Sequence, residues 1–320
     1  MPPDAFELAA SQLLRALRGT RSQRAFARRL GYHANPITDW EHGRRYPTVG
    51  EALIAAARVG KDVVAAFARF TPRVPLAPMP KGTAGFALGD WLGQLAGSTS
   101  KLALARRTGH SRAALTRWLA GRSQPRLPDF LRVVDALTGR VPELVAELVP
   151  IADVPALATR HQAIVAAKRV AFDEPWTEAI LRLIETQDAQ LESANQHGRF
   201  AARLGISLED ELRCLKALTH AGVVQREAGR YRARPLTVDT STNPEAMRRL
   251  RHHWAAVASA RALAPKPNDW LAYNLISCNE PDLARIRELL TQTFRELRTI
   301  VAASEPPQAA ALINMHLIHW

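Results

Sequence analysis

Arginine, lysine and small hydrogen-bonding residues are clustered at two places in the first half of the chain. In the second cluster, Arg112 and Arg117 are the residues best suited to chemistry with a polyanion. A guanidinium can donate two hydrogen bonds to guanine, and this contact discriminates between bases by about 1–3 kcal/mol. Lys101 and Arg122 flank the pair and are suited to phosphate. The cluster therefore predicts contacts with both the bases and the backbone of a nucleic acid.

The excess positive charge is concentrated in the same half. The 320 residues include 43 Lys and Arg against 30 Asp and Glu. Residues 1–150 hold 22 basic and 11 acidic residues, whereas the rest of the chain is close to neutral. We therefore expect an acidic polymer to meet the N-terminal half, with a merely solvated basic surface as the alternative.

The first half contains an internal repeat. The sequence Ala27-Arg28-Arg29-Leu30-Gly31 recurs 78 residues later as Ala105-Arg106-Arg107-Thr108-Gly109. The same offset pairs Trp40 with Trp118, for which we expect core packing. We assign residues 1–70 to copy one, 71–86 to a Pro-rich linker and 87–150 to copy two. An extended linker of this length reaches about 50 Å, enough to span a DNA turn of about 34 Å.

Each copy has the pattern of two short helices around a glycine turn. In copy one, Ser22 is an expected N-cap, and Gly31 is expected to end the first helix. A second helix is expected to begin near Asn35 and Pro36 and to end at Gly43. This pattern predicts a helix-turn-helix.

The motif resembles the phage-repressor-type (XRE-like) helix-turn-helix family of bacterial transcription regulators. The residues that carry the resemblance in copy one are Gln23, Ala27, Gly31, Ile37, Trp40, Glu41, Gly43 and Pro47. Those in copy two are Ala105, Gly109, Leu115, Trp118, Gly121 and Pro125, with departures at Lys101 and Leu119. The resemblance implies a cytoplasmic, nucleoid-associated regulator that binds double-stranded DNA in a sequence-specific manner.

In such a motif the start of the second helix enters the major groove, and flanking residues hold phosphates. The expected groove-facing residues of copy one are His33, Ala34, Asn35, Thr38 and Asp39, with Gln23, Arg44 and Arg45 placed for phosphates. Those of copy two are Ser111, Arg112, Ala113, Thr116 and Arg117, with Lys101 and Arg122 flanking. Because Arg112 and Arg117 can each contact guanine, we expect copy two to contribute more to base recognition. Because Asp39 would repel phosphate, we expect copy one to contribute less affinity or to bind protein.

Residues 151–236 have the order of a winged helix. After two helices, the stretch 200–207 reads as a helix, a glycine turn and a serine N-cap. The next helix is expected to carry one apolar face, formed by Leu208, Leu212, Leu215 and Leu218. A hairpin around Gly229 follows. Because acidic residues 209–211 begin the reading helix, we favour a structural or dimer-forming role over DNA contact through the wing residues Arg226, Arg230, Arg232 and Arg234.

Residues 237–320 are expected to form a small α+β domain. A helix is expected from residue 242 to about 264, followed by a strand at 270–278, a helix at 282–303 and a strand at 312–320. These last three elements predict a β-α-β unit with parallel strands. From Phe172 to the end, the chain resembles a bacterial family of presumed regulators whose C-terminal domain has no assigned function. The overall expectation is a mainly α protein: two helix-turn-helix domains, a winged-helix-like domain and this α+β domain.

Other classes of function have little support in the sequence. The pair His252 and His253 and the pair His316 and His319 are poorly spaced for a shared metal ion. The sequence has no phosphate loop or nucleophile elbow. We therefore expect no enzyme activity, cofactor or metal, and no membrane span. A homodimer is expected, and a protein partner or small-molecule effector at the C-terminal half stays open. The alternative function is a helix-turn-helix module that binds protein, similar to an antitoxin.

Overall fold

The structure is a computed structural model that describes residues 3–72, 74–78, 87–97, 99–191, 193–233, 243–304 and 306–320. Within these residues the chain is mainly helical, with one two-stranded sheet. The mainly α expectation is confirmed. The described residues divide into two compact units, one ending at Val165 and the other beginning at Ala166.

The first unit contains both copies of the repeat. Its helices are α1 (Pro3–Arg18), α2 (Gln23–Arg29), α3 (Ile37–Glu41), α4 (Val49–Arg58), α5 (Val63–Phe70), α6 (Leu88–Ala96), α7 (Lys101–Thr108), α8 (Arg112–Leu119), α9 (Leu127–Thr138) and α10 (Val141–Leu148). A 3-10 turn at Ile151–Asp153 follows. Helices α5 and α10 are offset by 78 residues at both ends, and α2 and α7 at their first residue. The sequence repeat is therefore also a repeat of structure.

The two copies are joined by a reciprocal backbone pairing. The N–H of Val49 donates to the carbonyl of Pro125 (3.0 Å), and the N–H of Leu127 donates to the carbonyl of Pro47 (2.9 Å). Thr48 and Arg126 form the bridge between them. At the 78-residue offset, Thr48 pairs with its own counterpart Arg126, and Pro47 and Val49 bond to the counterparts of each other, Leu127 and Pro125. This exchange is the pattern of an isologous, two-fold contact, here made within one chain.

A single hydrophobic core extends across this contact. Helix α5 packs against α10, and α1 of copy one packs against α9 of copy two. Phe67, Trp91 and Phe130 meet at the centre, with ring centroids 4.8 Å apart for Phe67 and Trp91 and 6.0 Å for Trp91 and Phe130. All three side chains are fully buried. The copies are therefore two halves of one packed body.

In the residues that it describes, the structure corrects the interpretation of residues 71–86 as an extended linker with a reach of at most about 50 Å. Leu76 is buried, and the indole N–H of Trp91 donates to the carbonyl of Val74 (2.8 Å). The N–H of Ala87 donates to the carbonyl of Ala77 (3.0 Å), so these two residues lie next to each other. Because Leu76 and Trp91 are buried, residues 74–77 pack against the core. Residues 73 and 79–86 lie outside the described residues.

The second unit begins within a long helix and contains the winged-helix order. Its elements are α11 (Pro155–Asp173, which starts in the first unit), α12 (Trp176–Glu185), α13 (Gln187–Leu191), α14 (Arg199–Leu204), α15 (Leu208–His220), β1 (Val224–Glu227), β2 (Arg230–Ala233), α16 (Pro244–Leu263) and α17 (Glu280–Ala303). The strands pair antiparallel, with Val224 opposite Ala233. Ala228 and Gly229 both have positive φ, as a two-residue hairpin turn requires.

Only two of the four leucines expected on the buried face of α15 are buried. Leu215 and Leu218 are buried, but Leu208 and Leu212 are 49% and 42% exposed. The helix is rotated because Glu211 points inward, where its carboxylate accepts hydrogen bonds from the N–H groups of Gly198 (2.9 Å) and Ala201 (2.6 Å). These bonds satisfy free N–H groups at the start of α14.

The expected β-α-β unit is also not formed. The helix is present as α17, but residues 270–278 and 312–320 form no strand. Neither segment makes a backbone hydrogen bond with another described residue. A strand requires a partner along its edge, and the described part of this chain provides none to either segment.

Because the two copies share one core, we expect them to unfold together. Phe130→Ala in copy two should cost about 3–5 kcal/mol and should accelerate amide exchange at the slowest-exchanging positions of copy one as well as copy two. Hydrogen exchange followed by mass spectrometry checks this. Leu102→Ala, at an exposed residue of copy two, serves as the control with little effect. Unchanged exchange in copy one of Phe130→Ala would show independent domains.

Candidate DNA interface

Copy two presents the start of α8 to solvent. Leu104 and Leu115 are fully buried where α7 and α8 pack together. Gly109, with φ of 73°, ends α7 in the left-handed conformation. The hydroxyl of Ser111 accepts a hydrogen bond from the N–H of Ala114 (3.2 Å) and caps α8. Ser111 and the next residues of the first turn are therefore held rigidly at an exposed helix N-terminus.

The side chains predicted to bind DNA in copy two are available for it. Ser111, Arg112, Ala113, Arg117, Lys101 and Arg122 are exposed. Thr116 is half-buried, and its hydroxyl donates to the carbonyl of Arg112 (2.8 Å). Within the described part of the chain, the side chains of Lys101, Arg112, Arg117 and Arg122 make no ion pair and no hydrogen bond. Four cationic groups are thus left without an internal partner.

The acidic residues of copy two after residue 100 are all paired with other arginines. These ion pairs are Asp129 with Arg132 (3.1 Å), Asp135 with Arg160 (2.9 Å), Glu143 with Arg140 (2.5 Å) and Glu147 with Arg69 (2.6 Å). They lie on α9 and α10, and Asp129 also lies 3.4 Å from His110 Nε2, in the turn between α7 and α8. None of these four carboxylates is paired with Lys101, Arg112, Arg117 or Arg122, so they do not neutralise these cations.

Copy one has a shorter second helix for a local chemical reason. Pro36 occupies the position equivalent to Ala114, whose N–H makes the capping hydrogen bond in copy two. Proline has no N–H, and His33 stands where copy two has the Ser111 cap. Helix α3 therefore begins at Ile37, after the proline. His33 and Ala34 are exposed in the preceding turn rather than on a helix.

Most of the residues predicted to bind DNA in copy one are bonded to each other. The hydroxyl of Thr38 donates to Gln23 Oε1 (2.8 Å) and accepts from the amide of Asn35 (3.0 Å). Asp39 forms an ion pair with Arg44 (2.8 Å). Arg45 is exposed and makes no such contact with the described residues. The structure thus brings the two clusters to equivalent places. Among the predicted cations, the side chains without a partner in the described residues are Arg45 in copy one and Lys101, Arg112, Arg117 and Arg122 in copy two.

A buried carboxylate holds Gln23, one of the residues predicted to bind DNA in copy one. Glu41 is buried and accepts hydrogen bonds from Arg18 (2.5 Å) and from the amide of Gln23 (2.8 Å), with Arg15 at 4.0 Å. Burial by itself would raise the pKa of Glu41. The hydrogen bonds from Arg18 and Gln23, together with the charges of Arg18 and Arg15, outweigh burial and lower that pKa.

The same network is replaced as a whole in copy two. The positions equivalent to Arg18, Gln23 and Glu41 hold Ala96, Lys101 and Leu119. The two departures from the family motif therefore belong together: the acid and its partners are gone, and Lys101 has no carboxylate behind it. The sequence showed the exchange at Lys101 and Leu119, but the role of Arg18 required the structure.

The third helix-turn-helix, formed by α14 and α15, has a different surface. Asp210 at the start of α15 accepts from the hydroxyl of Ser207 (2.7 Å) and pairs with Arg213 (2.5 Å), and both contacts lower its pKa. On the wing, Arg226 bonds to Asn195, and Arg232 to Gln190 (3.2 Å). Arg230 is exposed, and Arg234 lies outside the described residues. Of the wing arginines that the structure describes, Arg226 and Arg232 are thus bonded to side chains, and Arg230 is not.

Neither a metal centre nor a membrane span is found in the part of the chain that the structure describes. No three His, Cys, Asp or Glu side chains are grouped there so that they could hold a metal ion. His253 packs edge-on against Trp176 (5.2 Å between ring centroids) and Trp254 (4.8 Å). None of the described helices is both long and apolar enough to cross a bilayer.

Comparison with known proteins places the second half of the chain in a family. Residues 158–319 match the family defined by the domain of unknown function DUF4423. The match covers just over half of the chain, which therefore belongs to this family. It agrees with the resemblance of the C-terminal half to a family without an assigned function. No curated protein and no solved structure matches the chain.

The Glu41 network gives a prediction for pH dependence. Because the pKa of Glu41 is lowered in the folded state, its contribution to stability is complete above the ordinary carboxyl pKa of about 4.3 and is lost as pH falls through the folded-state pKa. We expect Glu41→Gln to lower the free energy of unfolding by about 2 kcal/mol at pH 7 and by progressively less on acidification. Urea unfolding between pH 7 and pH 3 measures both.

Asp39→Asn, which removes a half-exposed acid on the same short helix, is the matched control and should change stability by less than about 1 kcal/mol. An equal effect of Glu41→Gln at pH 7 and pH 3 would contradict the role of the ionised Glu41.

Proposed function

We propose that the protein is a transcription regulator that binds double-stranded DNA in a sequence-specific manner through its N-terminal half. The observation that carries the proposal is the unpartnered positive charge of Lys101, Arg112, Arg117 and Arg122 around the capped, exposed start of α8. An internally unpaired cation is free to replace the counterions of phosphate. A capped helix N-terminus of this size also fits the major groove.

The proposed roles follow from position on the motif. Arg112 and Arg117 read bases, Ser111, Ala113 and Thr116 line the same surface, and Lys101 and Arg122 bind phosphates. In copy one, His33, Ala34, Asn35, Thr38 and Asp39 occupy the corresponding surface, with Gln23, Arg44 and Arg45 at its edge. Since Gln23, Asn35, Thr38, Asp39 and Arg44 already have partners, copy one contributes less affinity and less base discrimination.

The shared core determines which operator this arrangement would fit. The reciprocal pairing of residues 47–49 with residues 125–127 relates α3 to α8 by an approximate two-fold rotation. Two recognition helices held in this way bind two half-sites at one fixed separation. Because their exposed residues differ, the half-sites differ in sequence. One chain thus recognises an asymmetric operator of fixed spacing.

In this proposal the C-terminal half serves dimerisation or the sensing of a signal, and the protein works in the bacterial cytoplasm on the nucleoid. A protein-binding module is the second candidate, and two observations favour it. Leu208 and Leu212 are exposed on α15, and the polar residues of copy one are occupied internally. Salt dependence separates the candidates, since neutralising Z phosphates lowers log K by about 0.9Z for each unit of log salt.

Replacement of the two base-reading arginines should alter specificity. In a selection of bound duplexes from a random pool at about 150 mM salt, we expect Arg112→Ala and Arg117→Ala each to relax the base preference at one or two positions, with a loss of about 1–3 kcal/mol at each. Lys101→Ala should weaken all sequences about equally. Arg69→Ala, at an arginine paired with Glu147 on another surface, should leave the motif unchanged. Uniform loss from all three interface variants would contradict the assigned base readers.

The spacing of the operator tests the role of the core. Insertion of four Gly and Ser residues between Pro78 and Ala87 should leave the selected half-site spacing unchanged, because backbone pairing rather than chain length sets the separation. The readout is the same duplex selection on the wild type and the insertion variant. A broader range of accepted spacings in the variant would show that the linker sets the distance.

A further inference from the structure

The C-terminal region of the described chain leaves its apolar side chains in solvent. Fifteen of the twenty exposed large hydrophobic residues lie between Leu263 and Trp320. In this same stretch no described residue is buried. Exposed apolar patches beyond a few hundred Å² mark interaction surfaces in soluble proteins. We call residues 263–320 the C-terminal arm.

Two segments of the arm have the composition of strands and no partner. Trp270, Tyr273 and Trp320 are 88%, 92% and 90% exposed. At about 150–250 Å² for each aromatic side chain, these three alone expose at least about 400 Å². His319 lies 3.8 Å from Glu280, so the end of the second segment lies close to the residues that follow the first. The backbone groups of both segments remain open to hydrogen bonding.

Helix α17, between the two segments, is amphipathic and also uncovered. Leu283, Ile286, Leu290 and Leu297 are only half-buried along one stripe. Leu289, Phe294, Ile300 and Val301 are exposed. A helix of this kind is stable when its apolar side packs against another element. The arm therefore contains two strand edges and one helix stripe that the described chain does not cover.

A second copy of the chain fits this surface on three grounds. It brings the same two strand segments and the same helix, so each unpaired edge of one chain meets an equivalent edge of the other in an isologous contact. The arm holds six acidic and five basic residues, so two arms do not repel each other. The arm has fifteen exposed large apolar residues, which at about 150–250 Å² for each aromatic side chain offer area on the scale of the roughly 800 Å² per partner that a standard interface buries.

We propose that the C-terminal arm is the interface of a homodimer in which residues 270–278 and 312–320 of one chain form sheet structure with those of the second copy. Helix α17 of each chain packs on the shared layer. The apolar side chains of Trp270, Tyr273 and Trp320 become buried between the two chains. This proposal does not depend on DNA binding by the N-terminal half.

Analytical ultracentrifugation of the full chain without DNA tests the proposal. We expect the molecular mass measured for the wild type to be twice the chain mass of 35.3 kDa. Leu275→Lys combined with Ile318→Lys, one exposed residue in each segment, should give the 35.3 kDa species with unchanged helical circular dichroism. Leu208→Lys combined with Leu212→Lys, at exposed leucines outside the arm, is the matched control and should remain dimeric.

Hydrogen exchange on the same samples provides the second readout. Amides of residues 270–278 and 312–320 should exchange at least tenfold more slowly in the wild type than in the monomeric variant, because only the dimer pairs them. A monomeric wild type, or a dimer in which these amides exchange as fast as in the variant, overturns the proposal. So does dissociation by the control pair while the arm variant stays dimeric.

Discussion

The reciprocal pairing of residues 47–49 with residues 125–127 is the constraint on which the N-terminal architecture depends. It places α5 against α10 and allows Phe67, Trp91 and Phe130 to share one core. A duplicated motif on a loose tether would have many arrangements, whereas this contact selects one. The internal repeat thus makes within one chain the kind of two-fold contact that separate chains make by dimerisation.

The two copies differ in one buried charge, that of Glu41 in copy one. Glu41 needs Arg18 and Gln23 because an ionised carboxylate in the interior requires hydrogen bonds and opposite charge. Copy two replaces all three residues, with Leu119 in place of the acid. Lys101 then has no carboxylate to pair with inside copy two. The core exchange thus accounts for the free Lys101, whereas Arg112 and Arg117 are separate replacements of Ala34 and Asp39 on the surface.

The sequence predicted those features that depend on local pattern. The 78-residue repeat, the caps at Ser22 and Ser207 and the hairpin at Gly229 follow from short-range residue types. It did not predict that Leu76 would fold back, that Glu211 would turn inward, or that Thr38 and Gln23 would bond to each other, because these depend on contacts between distant residues. The segments at 270–278 and 312–320 have the apolar composition of strands, but the described part of the chain offers them no partner, and sequence composition cannot show whether a partner is present.

The most direct test of the central claim is photo-crosslinking from the start of α8. A benzophenone amino acid at Ala113, an exposed residue of the first turn, would be irradiated in the complex with the selected duplex, and the crosslinked base would be located by primer extension. The account predicts crosslinks to bases at one or two positions of one half-site. Crosslinks to protein alone, or to backbone positions spread along the duplex, would contradict the insertion of α8 into the major groove.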